Sequence, residues 1–171
     1  MLTEIGDNAF EGTGITSITI PSNCYSIGQG VFTNCESLSY ISVASANQYY
    51  KSDYGILFDY NKDTLFCYPS AKYGSTYTIP ASIKCIKAGA FSSSQLTKLN
   101  IQTTSLDSIY ENTFVYSKLT SINIPEGVKY IGDNAFSSSM KKITLPSTLT
   151  KINGVLFYED NTNKLVLDTI I

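Results

Sequence analysis

The feature that most constrains this 171-residue chain is that it repeats itself about every 22 residues. Ile5-Gly6-Asp7-Asn8-Ala9-Phe10 returns as Ile131-Gly132-Asp133-Asn134-Ala135-Phe136. Weaker copies run Ile27 to Phe32, Ile86 to Phe91 and Ile109 to Phe114. With Phe as the marker, Phe10 to Phe32 spans 22 residues, Phe91 to Phe114 spans 23, Phe114 to Phe136 spans 22 and Phe136 to Phe157 spans 21. A unit this short cannot bury its own apolar side, so units in constant phase must stack on one another.

About eight residues after each Phe the apolar residues fall two apart: Ile18/Ile20, Ile41/Val43, Leu99/Ile101, Ile122/Ile124, Ile143/Leu145 and Leu165/Leu167. Period two is the signature of a strand with one face inward. Pro21, Pro80, Pro125 and Pro146 close four of these strands, because proline lacks the N–H that a ladder needs. Two further apolar positions, such as Val128 and Ile131, precede the next corner. Asp-Asn-Ala-Phe reads as a single helical or 3₁₀ turn capped by the Asp side chain. Three residues after each Phe stand Thr13, Cys35, Ser94, Ser117 and Ser139, small groups suited to hydrogen-bonding backbone buried at a turn.

The pattern Ile-Gly-x-x-Ala-Phe, a small residue, then Leu-x-x-Ile-x-Ile-Pro resembles the BspA-like (Treponema pallidum-type) leucine-rich repeats of bacterial and protozoan surface proteins. It covers nearly the whole chain, departing in Ser or Thr where that family often has Cys and in an irregular centre. The expected fold is a β-rich repeat solenoid: a leucine-rich-repeat-like parallel sheet on one face, short helical or 3₁₀ turns, and an inserted β-hairpin. The resemblance also implies a surface-exposed or secreted protein associated with adhesion.

Regular coils occupy 1–43 and 80–152, and irregular ones 44–79 and 153–171, all within one array. Phe32 to Phe91 is 59 residues, more than two coils need. The excess holds Gly55-Ile56-Leu57-Phe58, a polar turn from Asp59 to Asp63, and Thr64 to Pro69, which reads as a hairpin. Gly154 to Leu167 carries similar text, so a second hairpin-bearing coil is expected there. Entry in mid-unit and the apolar ending Ile170-Ile171 are expected of a fragment of a longer array, a natural cap being the alternative.

Chemistry-bearing residues are sparse. The chain has no His and no Trp, which removes the usual general base and the usual metal ligand together. The carboxylates sit at turns and coil edges, and Asp59-x-Asn61-x-Asp63 lacks the glycine and the bidentate glutamate of a calcium loop. No enzyme, cofactor or metal site is expected. All twelve basic residues are Lys and the net charge is −2, a poor match for nucleic acid. No apolar run is long enough to insert in a membrane. Cys24, Cys35, Cys67 and Cys85 fit either two disulfides or buried thiols.

Two groups of residues are candidates for a binding surface. Thr19, Ser42, Thr78, Asn100, Asn123 and Thr144 occupy the outward strand positions and form a ridge of small hydrogen-bonding groups, which serves either recognition or solubility. Tyr49, Tyr50, Tyr54, Tyr60 and Tyr73 belong to seven tyrosines crowded between positions 49 and 77, fit for a contact patch or for the hairpin's own core. The function expected is non-enzymatic binding, through the solenoid face, of a protein or glycan on another cell or matrix. A passive spacer is the alternative, and exposed coil ends permit end-to-end self-association.

Overall fold

In the computed structural model, which describes residues 1–158 and the strand at 169–170, seven coils follow one another. Coil 1 contributes β1 (Glu4–Ile5) and β2 (Ser17–Ile20), and coil 2 contributes β3 (Ser26–Ile27) and β4 (Tyr40–Val43). An excursion, β5 (Tyr50–Asp53) and β6 (Ile56–Asp59), precedes coil 3 with β7 (Thr64–Cys67) and β8 (Thr76–Ile79). Coil 4 holds β9 (Cys85–Ile86) and β10 (Lys98–Ile101), and coil 5 holds β11 (Ser108–Ile109) and β12 (Ser121–Asn123). Coil 6 holds β13 (Tyr130–Ile131), β14 (Phe136–Ser137) and β15 (Lys142–Thr144). Coil 7 holds β16 (Lys151–Ile152), β17 (Phe157–Tyr158) and β18 (Thr169–Ile170). The second hairpin expected near 159–167 lies outside the described residues.

The alternating segments form parallel ladders along one face: β2 with β4, β8 with β10, and β12 with β15 and β18. The two-residue strands before the corners line the opposite edge, β1 pairing with β3 and the others continuing through the four-residue strands of the meander in the order β16-β13-β11-β9-β7-β6-β5. Inward positions such as Ile20, Ile41, Ile79 and Ile143 are fully buried. After each strand the proline carbonyl accepts an N–H three residues on, at Cys24, Ile83, Val128 and Leu149. Proline therefore ends the ladder and opens the next turn.

The Phe corner is not helical among the described residues. Its N–H groups alternate. Ala9, Glu11 and Thr13 donate three residues back within their own coil, while Asn8, Phe10 and Gly12 donate to Gln29, Val31 and Thr33 of the next. A 3₁₀ turn would use every N–H internally, leaving none to tie the coils together. Two residues take left-handed dihedrals at the corners of Phe10, Phe32, Phe91 and Phe114 and one at that of Phe136: Asn8, Gly30, Gly89, Asn112 and Asn134 before the ring, and Gly12, Asn34, Ser93 and Tyr116 after it. Asn and Gly dominate these positions because they tolerate positive φ most readily. Asp7 does accept a backbone N–H, but from Gln29 of the next coil at 2.7 Å. Asp133 does the same for Val155 at 2.7 Å.

The rings stack as a column, with centroids 5.8 Å apart for Phe10 and Phe32, 5.4 Å for Phe91 and Phe114, and 5.6 Å for Phe114 and Phe136. Tyr68 takes the ring position in coil 3: it lies 5.5 Å from Phe91, and its N–H donates to Ala90 just as Phe91's donates to Thr113. Ser70 joins the small-residue column, its hydroxyl donating to the Cys35 carbonyl. Ser139 donates to Ser117 and Leu119 carbonyls at 2.8 and 3.0 Å, and Cys35 to the Phe10 carbonyl at 2.9 Å. The hydroxyls of Ser94 and Ser117 depart from the expectation, since they find no partner among the described residues.

The expected hairpin is present as β6 and β7, but β5 also pairs antiparallel with β6, making a three-stranded meander. The register Asp53↔Ile56 leaves a two-residue loop, Tyr54-Gly55, with φ of 48° and 83°. That is the primed geometry a right-twisted hairpin requires. Ile56, Leu57 and Phe58 are all buried. Ile56 and Phe58 face the core running to Phe157, while Leu57 faces the core running back to Ile5. A run of three apolar residues is what a strand covered on both faces needs, and β6 is the wall between the two cores.

Candidate functional site

The outward ridge is real but divided. Thr19 lies opposite Ser42, their hydroxyls 2.6 Å apart. Thr78 lies opposite Asn100, whose amide donates to the threonine hydroxyl at 3.2 Å, and Asn123 lies opposite Thr144. Between Ser42 and Thr78 the meander tip intervenes, with Gly55's carbonyl accepting the Ile41 N–H at 3.0 Å. The ridge is therefore not the unbroken row the sequence implies. A largely apolar cleft of about 380 Å³ opens on the far side of the tip, among Tyr54, Ile56, Phe58, Tyr77 and Thr78. Burial lifts the Tyr77 phenol to about 12. At the cleft rim Lys62 and Asp53 form an ion pair at 2.6 Å, and both side chains are over two-fifths exposed, so it contributes little to stability.

The tyrosines separate by face. Tyr49, Tyr54, Tyr60 and Tyr73 are exposed, Tyr54 at 82% and Tyr73 completely. Tyr50 corrects the sequence reading: it is 6% exposed, packs edge-on against Phe66 at 5.2 Å and belongs to the N-terminal core. Strand alternation sends Tyr50 inward while its neighbour Tyr49 meets Tyr25 at 6.1 Å outside. Lys51 sits 3.8 Å above the Tyr60 ring, a cation–π contact. Tyr25 and Tyr40 are also exposed, and sequence reasoning missed them because they lie one coil before the cluster. Tyr40's ring covers Gly55 so closely that any Cβ there would overlap it.

Asp59 accepts the N–H groups of Asp63 and Thr64 at 2.9 and 2.8 Å, so the Asp59-x-Asn61-x-Asp63 segment is a closed hairpin turn. The hydrogen bond from Lys84 holds the Asp63 carboxyl below its ordinary range. The four cysteines are unbridged, and Cys24, Cys35 and Cys67 are buried. Burial pushes the thiols of Cys24, Cys67 and Cys85 up, away from the reactive thiolate. Under native conditions at mildly alkaline pH, maleimide should label Cys85 slowly and the other three far more slowly still. In denaturant without reductant all four should label, and fewer than four would show that bridges exist.

A second, shallow groove of about 320 Å³ runs between β10 and β12, which no ladder joins. Its lining includes Lys98, Asn100, Ser121, Asn123, Lys142 and Thr144. At the Phe corner a polar hollow instead gathers Asp7, Glu11 and Glu111. Lysines thus line the groove and carboxylates the corner hollow. Among the described residues no helix is long and apolar enough to cross a membrane.

The family described as BspA type leucine rich repeat region matches this chain in six copies, over residues 1–54 and 63–170. A leucine-rich repeat protein from Eubacterium ventriosum is similar in structure, with TM-score 0.76 and 30% identity, over 88% of this chain and 45% of that one. The pneumococcal vaccine antigen PcpA matches with TM-score 0.69 and 24% identity, over 91% of this chain and 46% of its own. A leucine rich cell surface protein from Faecalibacterium prausnitzii matches with TM-score 0.63 and 24% identity, over 98% and 55%. The chain spans about half the length of these solved structures. No curated protein matches it.

Proposed function

Because this chain belongs to the BspA-type leucine-rich repeat family, we propose that it is a non-enzymatic adhesion module, displayed at a cell surface or secreted, that holds a protein or glycan of another cell or matrix. One of its solved neighbours is a leucine rich cell surface protein and another a vaccine antigen, which is consistent with that setting. The observation that carries the reading is Tyr54. This residue stands at the tip of the β5–β6 hairpin, 82% exposed, with a left-handed φ of 48°. A tyrosine in that conformation costs about 1 kcal/mol or more, and Asn or Gly is the residue the turn prefers. Exposed strain of this kind at a loop tip points to selection for contact rather than for stability. Tyr73 adds a fully exposed ring on the neighbouring loop, and Lys72 donates to the Tyr54 carbonyl.

The substitution Tyr54→Asn separates the two demands. It should raise stability by about 0.5–1 kcal/mol, because Asn relieves the turn. In a screen of immobilised matrix proteins and glycans it should also weaken adhesion, and Tyr54→Asn with Tyr73→Ser should weaken it further. Unchanged adhesion in the double variant would remove the hairpin tip as the site. A parent chain that bound nothing in such a screen, or on cells, would favour a passive spacer.

A further inference from the structure

The face of coils 4 to 6 carries a charge pattern that folding requires of none of its members. The segments 95–101, 117–124 and 139–145 contain Lys98, Lys118, Lys141 and Lys142 and no Asp or Glu. All four lysines are exposed. Among the described residues none of them is in an ion pair, whereas Lys62 and Lys84 near the meander are paired with Asp53 and Asp63. The chain as a whole is acidic, at −2. This face is therefore a local cationic field on an anionic protein, and it will draw anions selectively.

The groove between β10 and β12 lies within that field. Lys98 and Lys142 line it from β10 and β15, on either side of β12. Between them Asn100 and Asn123 offer amides that both donate and accept, and Ser121 and Thr144 offer hydroxyls. Leu99 and Ile122, which form the floor, are buried in the core, so no open apolar pocket awaits a peptide side chain. Among the described residues no aromatic ring or arginine lines it for a base to stack on. The chemistry left is that of a chain with regularly spaced anions and many hydroxyls between them.

We propose that the Lys98–Lys142 groove binds an acidic polysaccharide, with the ammonium groups on its sulfates or carboxylates and the Asn and Thr side chains on its sugar hydroxyls. This rests on reading the strand face as a recognition surface, and it names a ligand class for a part of that face remote from Tyr54. The 171-residue chain should bind immobilised heparin at low ionic strength, and binding should weaken as salt screens the charges. K98Q/K142Q should lose about tenfold in affinity through the loss of two charge contacts. K72Q/K84Q, with the same change in net charge, should lose much less. N123A/T144A should weaken heparin binding while leaving the weaker binding of polyglutamate unchanged. Unaltered thermal unfolding of these surface variants verifies that each is folded. Equal loss in K72Q/K84Q would overturn the proposal, as would polyglutamate or duplex DNA bound as tightly as heparin. Absence of heparin binding with Tyr54-dependent adhesion intact would overturn the groove alone. Heparin binding retained while the Tyr54 and Tyr73 variants adhere normally would sink the hairpin tip instead.

Discussion

Replacing Phe114 by Ala should destabilise the chain by about 3–5 kcal/mol, the range for a large aromatic removed from a core that cannot collapse around the gap. Phe114 is fully buried and lies between Phe91 at 5.4 Å and Phe136 at 5.6 Å. Both neighbours are held by backbone bonds between coils, Phe91 to Thr113 and Phe136 to Leu156, so neither ring can slide to fill the space. For a domain whose total stability is of the order of 5–15 kcal/mol, that loss is a large share of the whole. Because coils 4, 5 and 6 follow one another through the rings of Phe91, Phe114 and Phe136, the lesion should also uncouple the array on either side of coil 5. Thermal unfolding should begin roughly 10 °C lower, on the usual 2–4 °C per kcal/mol for this size, and should broaden. Tyr73→Ala, at a fully exposed ring, is the control and should move stability by no more than about 0.5 kcal/mol. If the two variants unfolded alike, the ring column would not be the structural spine.

The second large effect belongs to a polar residue. Asn47 is 3% exposed and satisfies four backbone groups at once. Its amide donates to the Pro21 and Cys24 carbonyls at 2.7 and 2.9 Å, and its oxygen accepts the N–H groups of Tyr49 and Tyr50 at 2.7 and 2.8 Å. These bonds fasten the start of the meander to the preceding coil. Asn47→Ala should cost about 3–5 kcal/mol, since each buried group left without a partner costs roughly 1–3 kcal/mol and part of the loss is recovered by relaxation. Asn47→Asp keeps the acceptor but turns a carboxylate towards two carbonyls, and it should rescue nothing. Urea titration measures both. An Asp variant as stable as the parent would mean that the donated pair is dispensable.

Much of this architecture was legible in the amino-acid order. The Phe spacing predicts the ring column, the period-two pairs predict the face strands, and the prolines predict where each ladder stops. Ile-Gly-Asp-Asn-Ala-Phe predicts a corner, though not its kind. A helical turn and an alternating turn both need small polar residues and a left-handed break, and they differ in whether half the N–H groups have a neighbouring coil to reach. β5 escaped the sequence reading because its loop is Tyr54-Gly55, and tyrosine is not a residue that announces a primed turn. The ring of coil 3 escaped it, though the irregular coil itself did not, because Tyr68 stands where every other coil has Phe.

Repeat identity and inward alternation were determined by the sequence alone, because each depends on residues within one coil and on the identical coil beside it. Everything lateral was decided by the tertiary structure. The meander enters as a wall between two cores, breaking the Thr, Ser and Asn ridge after Ser42 and turning Tyr50 in while leaving Tyr54 out. Lys98 and Lys142, 44 residues apart in the chain, become the two sides of one groove only when coils 4 to 6 stack. A local pattern fixes which way a side chain points from its own strand. Which residues share a surface is fixed by which strand comes to lie alongside, and that choice belongs to the packed core.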